Sequence, residues 1–182
     1  HELYPANKQL VCKIENEHSL FFDGAPNNKM QSHRHLPDNV MQWFWEKFKH
    51  YLDWNKITGY KMHLNSCWIN EMKEHEYNPI HVHQGTLYTG LSSVMILKLP
   101  QQTGVEYSAQ DKPMNGKLQI IGNSSGQFCN TDYSPDTQER DFYIFPYDMR
   151  HSVNPFNGPG LRRTLSFNCD VDYNPINNRT AS

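Results

Sequence analysis

No apolar run in this 182-residue chain approaches the roughly 20 residues needed to span a bilayer. That excludes a helical membrane protein, and no stretch has the pattern of a cleavable leader. Cys-x-x-Cys pairs are missing too. Cys12, Cys67, Cys129 and Cys169 stand far apart, at spacings that fit no zinc knuckle. They are expected to be reduced, mostly buried thiols of a cytoplasmic protein, with a disulfide pair as the alternative. Charge of one sign is also scarce: the formal net charge is −2 with histidine neutral, so no large basic face for nucleic acid is expected. There is no internal repeat and no second hydrophobic core, which leaves one domain over 1–182.

What the chain does have is aromatic residues, at 13 % of the total, and ten histidines. The aromatics suit a packed globule rather than disorder. Histidine is the commonest metal ligand and the acid–base residue of neutral pH, so the positions of these ten decide the reading.

Residues 1–60 read as a lead-in and one helix. Short strands are possible at Val11–Ile14 and Phe21–Gly24. Over 38–56, Val40, Met41, Phe44, Phe48, Tyr51 and Leu52 recur at spacings of three and four, and Asp38 after Pro37 suits an N-cap. This stripe is expected to pack on a sheet. From about residue 62 short extended segments alternate with Gly, Pro, Asn and Asp, at 66–72, 78–84, 87–98, 104–107, 117–121, 141–145, 149–153 and 162–171. Many short strands separated by turn signals indicate a sandwich or barrel. The expected fold is therefore mostly β: a double-stranded β-helix, the jelly roll of cupin-like proteins, over 61–171. An N-terminal helix supports it. Residues 108–116 and 122–140 read as loops and 172–182 as a tail.

The chemistry sits in Asn78-Pro-Ile-His-Val-His-Gln-Gly85. On a strand, residues two apart share a face, so His81 and His83 can meet one metal. His-x-His alone is a common accident of sheet surfaces. His151, in Phe145-Pro-Tyr-Asp-Met-Arg-His-Ser-Val153, changes the weighing. A jelly roll brings chain-distant strands side by side, and three facial ligands leave positions open for cosubstrate and oxygen. Arg162 follows eleven residues later in Arg162-Arg-Thr-Leu-Ser-Phe-Asn168. Alternation puts Arg162, Thr164 and Ser166 on one face and Arg163, Leu165 and Phe167 on the other. An arginine inside a barrel is costly unless paired, and a carboxylate is its natural partner. Arg162 with the Thr164 hydroxyl would clamp the distal carboxylate of a dicarboxylate ligand.

This ordered set resembles the 2-oxoglutarate and Fe(II)-dependent oxygenase superfamily: a His-x-acid pair, a distant His, then Arg-x-Ser/Thr about a dozen residues on. Over Ser66–Asn168 it is similar to a branch of bacterial and phage proteins, through Cys67-Trp-Ile-Asn70, Asn78–His83, Phe145-Pro, His151-Ser-Val and Arg162–Asn168. The resemblance implies an Fe(II)- and 2-oxoglutarate-dependent dioxygenase that consumes O2, forms succinate and hydroxylates a small-molecule or peptide substrate, as prolyl hydroxylases do. His81 and His151 then match the two metal histidines, and Arg162 with Thr164 matches the site for the 2-oxoglutarate C5 carboxylate. His83 stands where the wider superfamily has Asp or Glu. Three neutral imidazoles leave the site one negative charge short, so iron should bind less tightly. Relatives carry a Tyr pair where this chain has Ser92-Ser93. Ser93 and Asn70 are the further candidates for cosubstrate contact. Trp68, Tyr88, Tyr143 and Tyr147 either line a substrate groove or, the stronger reading, belong to the core.

Two other classes stay open. One is a three-His cupin-type dioxygenase that does not use 2-oxoglutarate and has no need of Arg162. The other is a non-catalytic jelly-roll binding module or virion-associated protein, with need of neither iron nor arginine.

Overall fold

The computed structural model describes residues 4–5, 38–106, 112–122 and 132–173. Asp38–Trp54 forms α1. Val40, Phe44, Phe48 and Leu52 are its buried residues, each four positions from the next, so one stripe faces the core. The helix stops two residues short of the expected 56. Lys56 takes a left-handed conformation at φ 57°. The Ile57 N–H then reaches the Leu52 carbonyl (3.0 Å) and the Lys56 N–H the Asp53 carbonyl (2.9 Å), which closes the C-terminus.

The strands are β1 (Tyr4–Pro5), β2 (Tyr60–Met72), β3 (Asn78–His81), β4 (Gly90–Lys98), β5 (Leu118–Ile121), β6 (Asp132–Tyr133), β7 (Asp141–Pro146), β8 (Arg150–Val153) and β9 (Arg162–Tyr173). They form two antiparallel sheets, a major one in the order β1-β7-β4-β9-β2 and a minor one in the order β3-β8-β5-β6. Both orders interleave early and late strands, the jelly-roll signature anticipated from the spacing of short strands.

Helix α1 packs on the outer face of the major sheet. Phe44 lies 5.4 Å from Phe142 and 5.0 Å from Phe167, ring centroid to centroid. Cys67, Ile69, Leu91, Met95, Leu165 and Cys169 complete this cluster. A second cluster, with Met72, Val94, Ile96, Leu118, Tyr143, Phe145, Val153 and Phe156, fills the space between the sheets. Alternation therefore divides these strands: odd positions of β9, and of β2 beyond its bulge at Asn65, face the helix and even positions face the interior, whereas before the bulge Tyr60, Met62 and Leu64 are the helix-facing residues.

Several boundaries depart from the sequence expectations. Strand β2 begins at Tyr60, because its first half pairs with the far end of β9, Tyr60 opposite Tyr173, on either side of a bulge at Asn65. Strand β9 thus takes two residues assigned to the tail. Residues 104–106 form no strand, and residue 107 lies outside the described residues. The second expected loop contains β6, which pairs with β5 through Ile120 and Ile121. Strand β3 ends at His81, not at residue 84. Val11–Ile14, Phe21–Gly24, Cys12 and Cys129 lie outside the described residues. Cys67 and Cys169 are free and buried, as expected for reduced thiols, and burial pushes the Cys169 thiol up to about 12. No helix among the described residues is long and apolar enough to cross a membrane.

Candidate metal and cosubstrate site

His81 closes β3 and stands directly opposite His151 of β8. His83 lies just past the strand end. Its inward direction still follows the alternation, since Ile80 and Val82 point outward at 62 % and 52 % exposure. Ligand atoms of His81, His83 and His151 all fall within 4.8 Å of one another, the one such cluster of three among the described residues. The structure thus brings together the three histidines that the spacing singled out.

The geometry suits a metal. The His83 and His151 Nε2 atoms are 3.0 Å apart. Two nitrogens at about 2.1 Å from one ion and at right angles to each other stand about 3.0 Å apart, whereas a tetrahedral angle would need about 3.4 Å. The Nδ1 of His151 bonds to the Met149 carbonyl (3.0 Å) and that of His81 to the Pro79 carbonyl (2.7 Å). A carbonyl acceptor fixes the proton on Nδ1 and leaves Nε2 bare for coordination. Burial, reinforced by the neighbouring imidazoles, pushes His83 down to about 3. Burial likewise takes His151 to about 4, against the Met149 bond that pulls the other way. Both rings are neutral at pH 7, the form that binds metal. Trp68 flanks His83 at 5.5 Å and Phe145 flanks His151 at 4.6 Å, ring centroid to centroid, which limits ring rotation.

These histidines line a cavity of about 570 Å³ between the sheets, and Arg162 lines it too. Arg162 is 1 % exposed. Its Nε donates to the Gly116 carbonyl (3.2 Å), while Nη2 is buried with no partner. Gly116 takes φ 69°, which a side chain would resist, and that turn aims its carbonyl at the guanidinium. Burial lowers Arg162 to about 10, still charged at neutral pH. No acidic side chain lines the cavity to neutralise it. A buried cation with an unmet donor is costly unless a ligand completes it. An anionic ligand with a planar carboxylate fits that requirement.

The even positions of β9 that were expected to share a face with Arg162 do so: Thr164 and Ser166 line the cavity, Asn168 extends the row, and the intervening Arg163 pairs with Glu71 on the other side. Asn70, opposite Thr164, lines it as well. Ser93 does not. It belongs to the odd positions of β4, between Leu91 and Met95 of the helix-facing cluster, and its hydroxyl donates to the Phe167 carbonyl (3.1 Å). Val94 occupies the inward position instead. Of the four aromatics weighed between groove and core, Trp68 lines the cavity, Tyr143 and Tyr147 are buried, and Tyr88 is 87 % exposed. The sequence reading passed over Ser66 and Gln84, which line the end remote from Arg162. Asn168, the last residue of the Arg162–Asn168 motif, was not among the candidates either. Asn168 leaves its Oδ1 buried without a partner. The available signal was its parity with Arg162.

Residues 66–168 match the family described as "Putative 2OG-Fe(II) oxygenase". No curated protein matches the chain. Among solved structures, HygX from Streptomyces hygroscopicus with nickel and 2-oxoglutarate bound superposes with a TM-score of 0.60 at 10 % identity, over 92 % of this chain and 80 % of that one. HygX has also been solved with iron, and with nickel, 2-oxoglutarate and hygromycin B together. A Pseudomonas putida prolyl-4-hydroxylase matches with a TM-score of 0.57 at 12 % identity, over 93 % of this chain and 90 % of that one. An oxidoreductase of the 2OG-Fe(II) oxygenase family from Burkholderia pseudomallei gives 0.57 at 12 % identity, over 88 % and 77 %. At such identities these structures speak for the shared fold.

Proposed function

Because the chain belongs to the 2OG-Fe(II) oxygenase family, whose members use Fe(II), 2-oxoglutarate and O2, we propose that it hydroxylates an uncharged group of a small-molecule or peptide substrate. The observation that carries this reading is Arg162: a buried cation with an unmet donor, in the same cavity as three convergent imidazoles. A three-His metal centre without cosubstrate gives no reason to bury that charge.

His81, His83 and His151 would hold Fe(II) on one side, leaving the opposite side open. Arg162 would bind the C5 carboxylate of 2-oxoglutarate, with Thr164 and Asn70 beside it. When bound, the iron and cosubstrate supply the oxidising chemistry: 2-oxoglutarate and O2 give succinate and CO2, and the second oxygen atom enters a C–H bond of the substrate. The chain itself binds, orients and keeps water out. Met72, Val94, Leu118 and Val153 line the cavity with apolar surface, where the clamp bonds are strengthened by the loss of water.

Register along β2 and β9 separates two ends of the cavity. Met72 stands opposite Arg162 and Asn70 opposite Thr164; Trp68 stands opposite Ser166 and Ser66 opposite Asn168. With Trp68 against His83, the imidazoles that would hold the metal stand level with the middle of this run. The cosubstrate takes the Arg162 end, so the substrate takes the end with Ser66, Gln84 and Asn168. That end carries hydrogen-bonding groups and no charge, which suits an amide or hydroxyl-bearing substrate.

Anaerobic titration of the Fe(II)-loaded protein with 2-oxoglutarate tests the reading. A weak visible charge-transfer band, followed by succinate formation on admitting O2, is the expected result. Iron binding without the band would move the site to a cosubstrate-free three-His dioxygenase. Absence of iron binding would leave a jelly-roll binding module.

A further inference from the structure

His81 and His151 sit on paired strands, but His83 does not. Strand β3 ends two residues earlier, so nothing in the sheet ladder fixes His83. Its backbone is held from elsewhere. The His83 N–H donates to the Tyr147 carbonyl (2.9 Å). Beyond His83 the chain wraps the Asp170 carboxylate, on β9. Oδ2 of Asp170 accepts from the Thr86 N–H (3.0 Å), the Leu87 N–H (3.3 Å) and the Asn65 amide (3.1 Å). Oδ1 accepts from the Tyr147 hydroxyl (3.0 Å). Tyr147 therefore holds His83 with its carbonyl and Asp170 with its phenol. Asp170 is buried at 3 % exposure, and none of its four donors is a cation.

The approach is too close for any side chain at residue 85. A Cβ on Gly85 would stand 1.9 Å from Asp170 Oδ1 and 2.2 Å from the Asn65 amide nitrogen. A buried carboxylate is expensive, and one that spends its acceptors on loop N–H groups fixes the path of that loop.

We propose that Asp170, acting with Tyr147, is the positioning residue for His83: it sets the loop so that the third imidazole faces the metal site. The proposal rests on the reading of His83 as a ligand. Outer groups that orient metal-binding side chains characteristically change metal affinity by about 10- to 100-fold when removed. The Asp170→Asn change is close to isosteric and keeps one acceptor oxygen. It is expected to weaken Co(II) binding to the apo-protein by about 10-fold or more on that scale. Tyr147→Phe removes a single hydrogen bond and should give a smaller loss in the same direction.

The test is a double-mutant cycle on the full chain, titrating Co(II) into the metal-free protein and following its visible spectrum. Parent, Asp170→Asn, His83→Ala and the double variant are compared, with a thermal melt of each to establish folding. A positioning role predicts that Asp170→Asn weakens the parent but adds nothing once His83 is alanine. It also predicts that the Co(II) spectrum of Asp170→Asn moves toward that of His83→Ala. Equal losses in both backgrounds would mean a general structural role and would overturn the proposal. So would an unchanged affinity in the parent background. If Asp170→Asn does not fold, Tyr147→Phe takes its place in the cycle, read the same way. If His83→Ala itself binds Co(II) as the parent does, the ligand reading of His83 fails and this inference falls with it. An effect of His83→Ala with none of Asp170→Asn or Tyr147→Phe sinks the inference alone.

Discussion

Arg162→Met separates what the arginine does for ligand binding from what it does to stability. Burial takes the guanidinium from 12.5 to about 10. That depression corresponds to about 3 kcal/mol of destabilisation of the charged form in the folded protein, fully present at neutral pH because both folded and unfolded states are protonated there. The single bond from Nε to the Gly116 carbonyl returns about 1 kcal/mol. Methionine has a similar length and no charge. The ligand-free variant should therefore be more stable than the parent by about 1–2 kcal/mol, a rise in Tm of roughly 3–6 °C. Ligand binding should go the other way. A carboxylate left in the cavity without its cation costs about 3–5 kcal/mol, which weakens 2-oxoglutarate by a hundred-fold to a few thousand-fold. The assay is differential scanning fluorimetry of the Co(II)-loaded protein with and without 2-oxoglutarate, backed by calorimetric titration. The parent should gain Tm with ligand and the variant should not. A variant that binds 2-oxoglutarate within three-fold of the parent would falsify the clamp. A ligand-free variant that melts well below the parent would refute the argument from the unmet donor.

Three further outcomes follow from the packing. His151→Ala removes the proposed metal ligand that stands opposite His81 and should abolish retention of iron through desalting, read by metal analysis, while the melting curve stays cooperative. Phe44→Ala opens a cavity between α1 and the major sheet, in contact with Phe142 and Phe167, and should cost about 3–5 kcal/mol in denaturant unfolding without changing metal affinity. In a Cys12→Ser, Cys129→Ser variant, the remaining Cys67 and Cys169 are buried and burial raises both thiols, so a thiol reagent at pH 8 should label neither before denaturation and both after it.

Much of this site was legible because the relevant signals are local. His81 and His83 share a face by strand alternation, and Arg162, Thr164 and Ser166 do the same; both survive in three dimensions. The α1 stripe was legible for the equivalent helical reason. Ser93 shows where such reasoning stops. Strand β4 is buried on both faces, so its residues carry no polarity contrast, and parity alone does not say which face meets the cavity. The long first half of β2 was missed because its partner, the end of β9, lies over a hundred positions away in sequence. Strand β6 is two residues long, too short to show a period. Asp170 did leave a trace: an acidic residue at the same parity as Arg162, within the stretch of β9 that is buried from Thr164 to Val171. Its meaning depends on the loop at Gly85, which only the fold brings to it.

The division of labour between the sheets has a further consequence. His81 and His151 belong to the minor sheet and Arg162 to the major one, so the span from these imidazoles to the guanidinium is set by how far apart two packed sheets sit, about 10 Å in such sandwiches. On the proposed reading, the inter-sheet core acts as a calliper for ligand length. Val94, Ile96, Leu118 and Phe156 touch neither end of a diacid as its binding groups, yet they fix which chain length can reach both. Thinning that layer, as in Ile96→Val, would shift preference among diacids one carbon shorter or longer, while the ligands at both ends stayed chemically unchanged.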